Sequence, residues 1–161
     1  MKKIFKIVGI LILLFIVIQL TKMYFSGNKI PNYSYLGLDN KYHTSKELQN
    51  TTTIFIYFSP DCGFCEKAIV ELKKLHKTNN AIHCVFVTNQ KSKKIITDFI
   101  KANNLNELTG SIFIDEKDSF PMDFGLGMAY TTPTILAYNS NGKFIKEIAN
   151  YEDIKLLKFS E

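Results

Sequence analysis

Arginine and tryptophan are absent from this chain, and cysteine occurs only three times in its 161 residues. Each scarcity removes a class of explanation. With no arginine, the formal net charge of +5 rests on lysine alone. Lys2, Lys3, Lys6 and Lys22 sit at the N-terminus, ahead of any acidic residue. From Ser26 onward 16 lysines face 15 acidic residues, so the body of the chain is near neutral. It has no basic patch with interleaved aromatics, which argues against a nucleic-acid partner. Three cysteines also fall short of the two pairs that a structural zinc site commonly uses. Internal repeats and low-complexity tracts are missing, so a solenoid is excluded. What remains is the composition of an α/β protein, with length for one domain plus an appendage.

The appendage is the N-terminal stretch "MKKIFKIVGILILLFIVIQLTKMYF". Three lysines precede an uncharged apolar run. A helix over 7–25 would span roughly 28 Å, close to the thickness of a bilayer core. Lys22 would lie near the far end, where its side chain can snorkel. A cleaved signal peptide is the rival, but no small-x-small cleavage site follows the run. No cysteine follows it either, which excludes a lipid-modified N-terminal cysteine. The expectation is a single-pass anchor over 1–25, a linker over 26–33 and a domain over 34–161. The lysine cluster stays inside, so the domain faces the periplasm or the cell exterior.

Within the domain, "YSYLGLDNKYHT" predicts a hairpin, with its turn at Asp39-Asn40-Lys41. Thr44 to Glu47 fit a capping box for a brief helix. The β-branched and aromatic run 51–59 predicts a buried strand. The helix after it places Ala68, Ile69, Leu72 and Leu75 on one face. A strand over 81–89 follows. Next comes an amphipathic helix over 92–104, with Ser92 as N-cap and Ile95, Ile96, Phe99 and Ile100 as its apolar face. A short strand covers 111–115. No periodicity marks 116–131. Two strands then flank the turn signal Asn139-Ser140-Asn141-Gly142, and 152–159 predicts a closing helix. This order predicts a central mixed sheet with helices on both faces.

Two of the three cysteines lie together in "FSPDCGFCEKAIVELKKL", as Cys62 and Cys65. A haem attachment needs histidine directly after the second cysteine, and Glu66 stands there. A zinc site would need two further ligands. His83 and Cys84 are neighbours on a predicted strand and point to opposite faces, so they cannot readily complete one tetrahedron. A purely structural disulfide would close a tiny loop and stabilise little. The redox reading accounts for the spacing better. Cys62 stands where a strand ends and a helix begins, where free N–H groups and the helix dipole favour a thiolate. Cys65 follows about one turn later, within reach of the first sulfur. No metal or other cofactor is implied. Cys84 reads as a buried hydrophobe. His43, His76 and His83 show no nucleophile partner, and Pro60 reads as a turn former. Phe64, between the cysteines at an accessible helix start, reads as docking surface.

"YFSPDCGFCEKAIVELKKL", "YTTPTILAYNSNGKFIKEI" and the strand order together resemble the thioredoxin superfamily. The likeness is to membrane-anchored, extracytoplasmic thiol-disulfide oxidoreductases of the TlpA/ResA type, over roughly residues 34–158. The resemblance implies that Cys62 attacks, that Cys65 resolves, and that Pro133 after Thr132 is a cis-proline facing the pair. It also implies protein disulfides as substrates and a membrane thiol-electron donor as partner. Two positions depart from the family pattern. Asp61 stands where many thioredoxins have tryptophan, so Asp61 and Gly63 are the expected tuners of redox poise. Ile56 stands where a buried carboxylate usually assists proton transfer, which leaves Asp115, Glu116 and Asp123 as candidate proton acceptors. The expected function is extracytoplasmic reduction of protein disulfides. Its rivals are a disulfide-forming oxidase, a thiol peroxidase, and a non-enzymatic anchored adaptor or chaperone that binds extended peptide beside Pro133.

Overall fold

The computed structural model describes residues 12–15, 29–128 and 130–159. The expected anchor lies outside them, except for residues 12–15, which are helical. Among the described residues no helix is long and apolar enough to cross a membrane.

Seven strands form one mixed sheet: β1 (Ser34–Gly37), β2 (Tyr42–Thr44), β3 (Thr53–Tyr57), β4 (His83–Thr88), β5 (Gly110–Ile114), β6 (Thr134–Tyr138) and β7 (Phe144–Ile148). Their order is β2-β1-β5-β4-β3-β6-β7. β3, β4 and β5 run parallel, and all other neighbours are antiparallel. Helix α1 (Gly63–Thr78) joins β3 to β4, and α2 (Lys93–Ala102) precedes β5. Both crossovers step the same way across the sheet, and crossovers share one hand, so both long helices cover the same face.

β3 is buried at every position, because both faces of the sheet are covered. Its alternate residues enter different cores. Ile54 and Ile56 pack with Ala68, Ile69 and Leu72 of α1 and with Ile96 and Phe99 of α2. Phe55 and Tyr57 face the other way, into a cluster with Tyr33, Tyr35, Leu48 and Phe120. The two faces are covered unequally. The second carries only a one-turn helix, α3 (Phe120–Asp123), and relies on stacked rings. The Phe120 ring lies 4.7 Å from Tyr57 and 4.1 Å from Phe124. Such rings bury large apolar areas, each contributing roughly 2–3 kcal/mol.

α3 falls in the segment without periodicity, and its cause is tertiary. The buried carboxylate of Asp115 accepts the Phe120 N–H at 2.7 Å, and Pro121 suits the first turn of a helix. The C-terminal segment is a 3-10 helix, Tyr151–Leu156, in place of the expected α-helix. It buries Ile154, and its C-cap Leu157, three residues on, is buried too, which matches the 3-10 repeat. α2 starts as expected, with the Ser92 hydroxyl accepting the Ile95 N–H. Ile95 itself is exposed, so the apolar face of α2 is narrower than expected. The end of the expected linker is docked: Lys29 bridges to Lys143, and the Ile30 N–H donates to Gly142 O at 2.9 Å.

The β1–β2 hairpin is closed by an exposed charge cluster. His43 lies 2.8 Å from the Glu47 carboxylate through Nδ1 and 3.1 Å from Asp39 through Nε2. Gly37 makes room for it, since a Cβ there would come within 2.5 Å of Asp39 Oδ1. Hydrogen bonds donated to Glu47 and then to Asp39 raise the His43 pKa above its ordinary value of 6.5. A raised folded-state value means the protonated ring favours the folded chain. That stabilisation is complete below pH 6.5 and is lost as pH rises through the raised value. His43→Gln should therefore lower the unfolding midpoint more at about pH 5.5 than at about pH 8.5. Denaturant titrations of the two chains at both pH values test this; an equal loss at both would show that the His43 charge contributes nothing.

Candidate active site

Tyr57 ends β3, and the Phe58 N–H still pairs with Val87 O at 2.9 Å. Ser59, Pro60 and Asp61 then turn the chain, with the Cys62 N–H closing onto Ser59 O at 3.1 Å. Cys62 is the N-cap of α1, in extended conformation (φ −96°, ψ 105°). Its sulfur fills the role that a serine or aspartate oxygen usually fills, accepting the Cys65 N–H at 3.3 Å. Sixteen residues of aligned peptide dipoles point their positive end at this sulfur.

The two thiols differ in access. Cys62 is half-buried, whereas Cys65 is fully buried against the apolar core beneath α1. Burial, reinforced by a hydrogen bond with Cys62, pushes the Cys65 thiol up to about 12. Cys84 lies buried on β4 within the same core, and burial pushes it up to about 12 as well.

The segment before β6 completes the site. The Cys62 thiol donates to Thr132 O at 3.3 Å, and the Thr132-Pro133 peptide bond is cis. Thr132 and Pro133 border a cleft of about 410 Å³ with Phe64, Ile135, Ile148 and Tyr151. Its lining is mostly apolar, and Phe64 is 60% exposed at its edge. Asp61 is exposed beside Cys62, and the Ser59 hydroxyl holds its carboxylate below the usual carboxylate range. At Gly63 an added Cβ would meet nothing within 4 Å, so this flank of Cys62 is open.

Cys62, Cys65, Thr132, Pro133 and Phe64 thus converge. The candidate proton acceptors do not. Asp115 holds the first turn of α3. Asp123 accepts from the Tyr35 and Ser119 hydroxyls at 2.9 and 2.8 Å. Glu116 accepts from the Tyr42 hydroxyl at 2.8 Å. None of the three hydrogen-bonds to either cysteine, and Ile56 is fully buried among apolar side chains. The histidines are also engaged elsewhere: His43 with the hairpin carboxylates, His76 with Thr109, and His83 with Ser111. Among the described residues no three ligating side chains gather as a metal site. The motif did not point to Ile148 or Tyr151. They reach the cleft from β7 and the 3-10 helix after it, about 85 residues away along the chain.

This difference in access has a direct readout. Iodoacetamide at pH about 7.5 should label Cys62 of the reduced, folded chain at least tenfold faster than Cys65 or Cys84, because the thiolate is the reactive form. Mass spectrometry of the quenched digest measures the three rates; faster labelling at Cys65 would contradict the site geometry.

The fold has parallels among known proteins. The Redoxin family model matches residues 25–160. No curated protein matches the sequence at a significant level. Among solved structures, the chain is similar to the thioredoxin domain of a thiol-disulfide oxidoreductase from Bacteroides vulgatus, with TM-score 0.66 and 13% identity, covering 80% of this chain and 91% of that one. A thioredoxin-family thiol:disulfide interchange protein from Chlorobium tepidum gives TM-score 0.64 at 17% identity, covering 80% and 94%. A secreted Mycobacterium tuberculosis disulfide oxidoreductase homologous to E. coli DsbE gives 0.58 at 16%, covering 78% and 96%. At these identities the structures speak for the fold. The family match spans most of the chain and includes the cysteine pair, so the chain belongs to the Redoxin family and is a thiol-disulfide oxidoreductase of thioredoxin-like fold.

Proposed function

We propose that this protein is a membrane-anchored, extracytoplasmic reductase of protein disulfides. One observation carries the chemistry: a half-exposed sulfur caps α1 beside an open cleft, while its partner is sealed beneath it. The Cys62 thiol loses its proton to solvent, and the thiolate attacks one sulfur of a substrate disulfide. The other substrate sulfur leaves as a thiolate and takes up a proton, leaving a Cys62–substrate mixed disulfide. Cys65 then loses its proton and attacks Cys62 Sγ, so the second substrate sulfur departs. Two electrons have passed to the substrate, and the enzyme holds a Cys62–Cys65 disulfide. A membrane thiol-electron donor returns it to the dithiol.

Thr132 and Pro133, half-buried beside the sulfurs at the cleft edge, would let an extended substrate segment pair with the backbone as an added strand. Phe64 would help seat it. The N-terminal sequence supports the location: lysines precede an apolar run of membrane-spanning length, with no small-x-small cleavage site. Direction follows from what surrounds Cys62. Strong oxidants are those that stabilise the reduced form's thiolate most. Gly63 and Phe64 supply no charge or hydrogen bond to it through their side chains, and the ionised Asp61 carboxylate opposes it. The helix dipole favours it, but that contribution is common to the fold.

Cys62→Ser should lower insulin reduction by the full chain in detergent at least about a thousandfold, whereas Cys65→Ser should accumulate mixed disulfides. Activity surviving in Cys62→Ser would remove Cys62 as the attacking group. Equilibration with glutathione buffers should give a potential more negative than about −200 mV, and a value near −120 mV would make the protein an oxidase. Asp61→Asn should move the potential upward. Protease added to spheroplasts should digest the domain, and a soluble mature form lacking the first 25 or so residues would overturn the anchor.

A further inference from the structure

Two rings that line the cleft hold between them a charge that the reaction itself does not require. The rings of Phe64 and Tyr151 face each other at 6.3 Å, one from the first turn of α1 and one from the 3-10 helix after β7. The Lys67 ammonium lies over both, 5.3 Å from the Phe64 centroid and 5.9 Å from that of Tyr151. Lys67 stands one helical turn after Phe64, on the same side of α1. Its natural partner within α1 would be Glu71, four residues on. Glu71 instead pairs with Lys74 at 2.7 Å. Among the described residues Lys67 forms no ion pair, and two ring faces hold it in place. Glu152 lines a separate cleft with Glu71, Lys74 and Lys155, and Asp61 is held by Ser59 on the Cys62 side. The lining of the active-site cleft, Phe64 and Tyr151 included, is itself uncharged.

We propose that Lys67, braced on Phe64 and Tyr151, makes this cleft select substrate segments that carry an acidic side chain two residues from the reacting cysteine. The proposal rests on the reading of Cys62 as the attacking thiol. A segment lying extended beside Thr132 with its cysteine toward Cys62 places the side chains two positions away on the same face, about 7 Å along the strand. Phe64 follows Cys62 by two residues and lines the cleft with Thr132 and Tyr151, so the ring pair borders the path of such a segment. An apolar stem can rest on the rings while a carboxylate meets the ammonium. Phe64 and Tyr151 then position the cation, and Lys67 sets the charge preference.

The test uses the full-length Cys65→Ser chain in detergent, which stops at the mixed disulfide. Its probes are three peptides identical except at the two positions two residues either side of a single cysteine, which hold Glu, Gln or Lys. The cysteine is presented as its thionitrobenzoate disulfide. Attack by the Cys62 thiolate joins Cys62 to the peptide cysteine and releases thionitrobenzoate, whose absorbance gives the rate. The Glu peptide should react roughly fivefold faster than the Lys peptide, as expected for one partly exposed charge pair. High salt should shrink the ratio towards one. Lys67→Gln should abolish the ratio, Lys67→Arg should keep it, and Lys73→Gln, on a different face of α1 where it pairs with Glu107, should leave it as it was. A ratio near one in the parent chain, or one that survives Lys67→Gln, would overturn the proposal while leaving Cys62 as the nucleophile. No release above a Cys62→Ser control from any peptide would overturn the proposal together with the reading it rests on.

Discussion

The hydrogen bond from the Cys65 N–H to Cys62 Sγ links the fold to its chemistry. A helix begins with four N–H groups that lack intrahelical partners. At α1 one of them, the Cys65 N–H, is shared between the Cys62 carbonyl at 2.9 Å and the Cys62 sulfur at 3.3 Å, so an atom that caps the helix is also the atom that reacts. The same turn decides which thiol is accessible. Cys62, at the cap, stays at the surface. Cys65, one turn inside, goes under the helix with Ala68, Ile69 and Leu72. The inequality of the two thiols is thus a property of helix geometry. No charged side chain creates it.

The sheet serves that cap in two ways. Its parallel strands β3 and β4 run towards the end where Cys62 emerges, and β6 enters from the same end just after Pro133. The two segments that flank the sulfurs are therefore hydrogen-bonded neighbours, held by the β3–β6 register. The two faces then divide the work of packing. Mostly aliphatic residues, with Phe58, Phe86 and Phe99 among them, and both long helices fill the face beneath α1. Stacked rings fill the other, where α3 is too short to cover the sheet. The buried Asp115 carboxylate organises that second face.

Much of this was legible in the chain of residues. The β3 strand and the start of α1 follow from a β-branched and aromatic run that meets Cys-x-x-Cys. Ser92 marks the start of α2, and Asn139 to Gly142 mark the β6–β7 turn. These signals are local, and local chemistry determines them. The misses lie where periodicity carries no signal or where distant segments meet. α3 depends on Asp115, five residues before the N–H it holds, in a segment without periodicity. The C-terminal segment buries residues three apart, a spacing that both helix types can show. The one-sided placement of α1 and α2 depends on strand order, which periodicity does not encode. Lys67 and Tyr151 meet only after β7 has joined the sheet, so Lys67 reads in sequence as one more surface lysine. The carboxylates near the end of β5 matched a missing proton acceptor by position alone, and their hydrogen bonds commit them to α3 and the hairpin.

The docking of Lys29 and Ile30 sets an orientation. Their partners, Lys143 and Gly142, belong to the β6–β7 turn. β6 starts beside Pro133 and ends at Tyr138, just before that turn. The chain therefore joins the domain at one pole of the sheet, and the sulfurs sit at the other. The five residues of β6 separate the poles by roughly 17 Å. A domain held from its N-terminal side would present its reactive face outward, away from the point of attachment. Partners would meet Cys62 from the surrounding solution, and a donor embedded in a membrane would need a reach comparable to the length of the sheet.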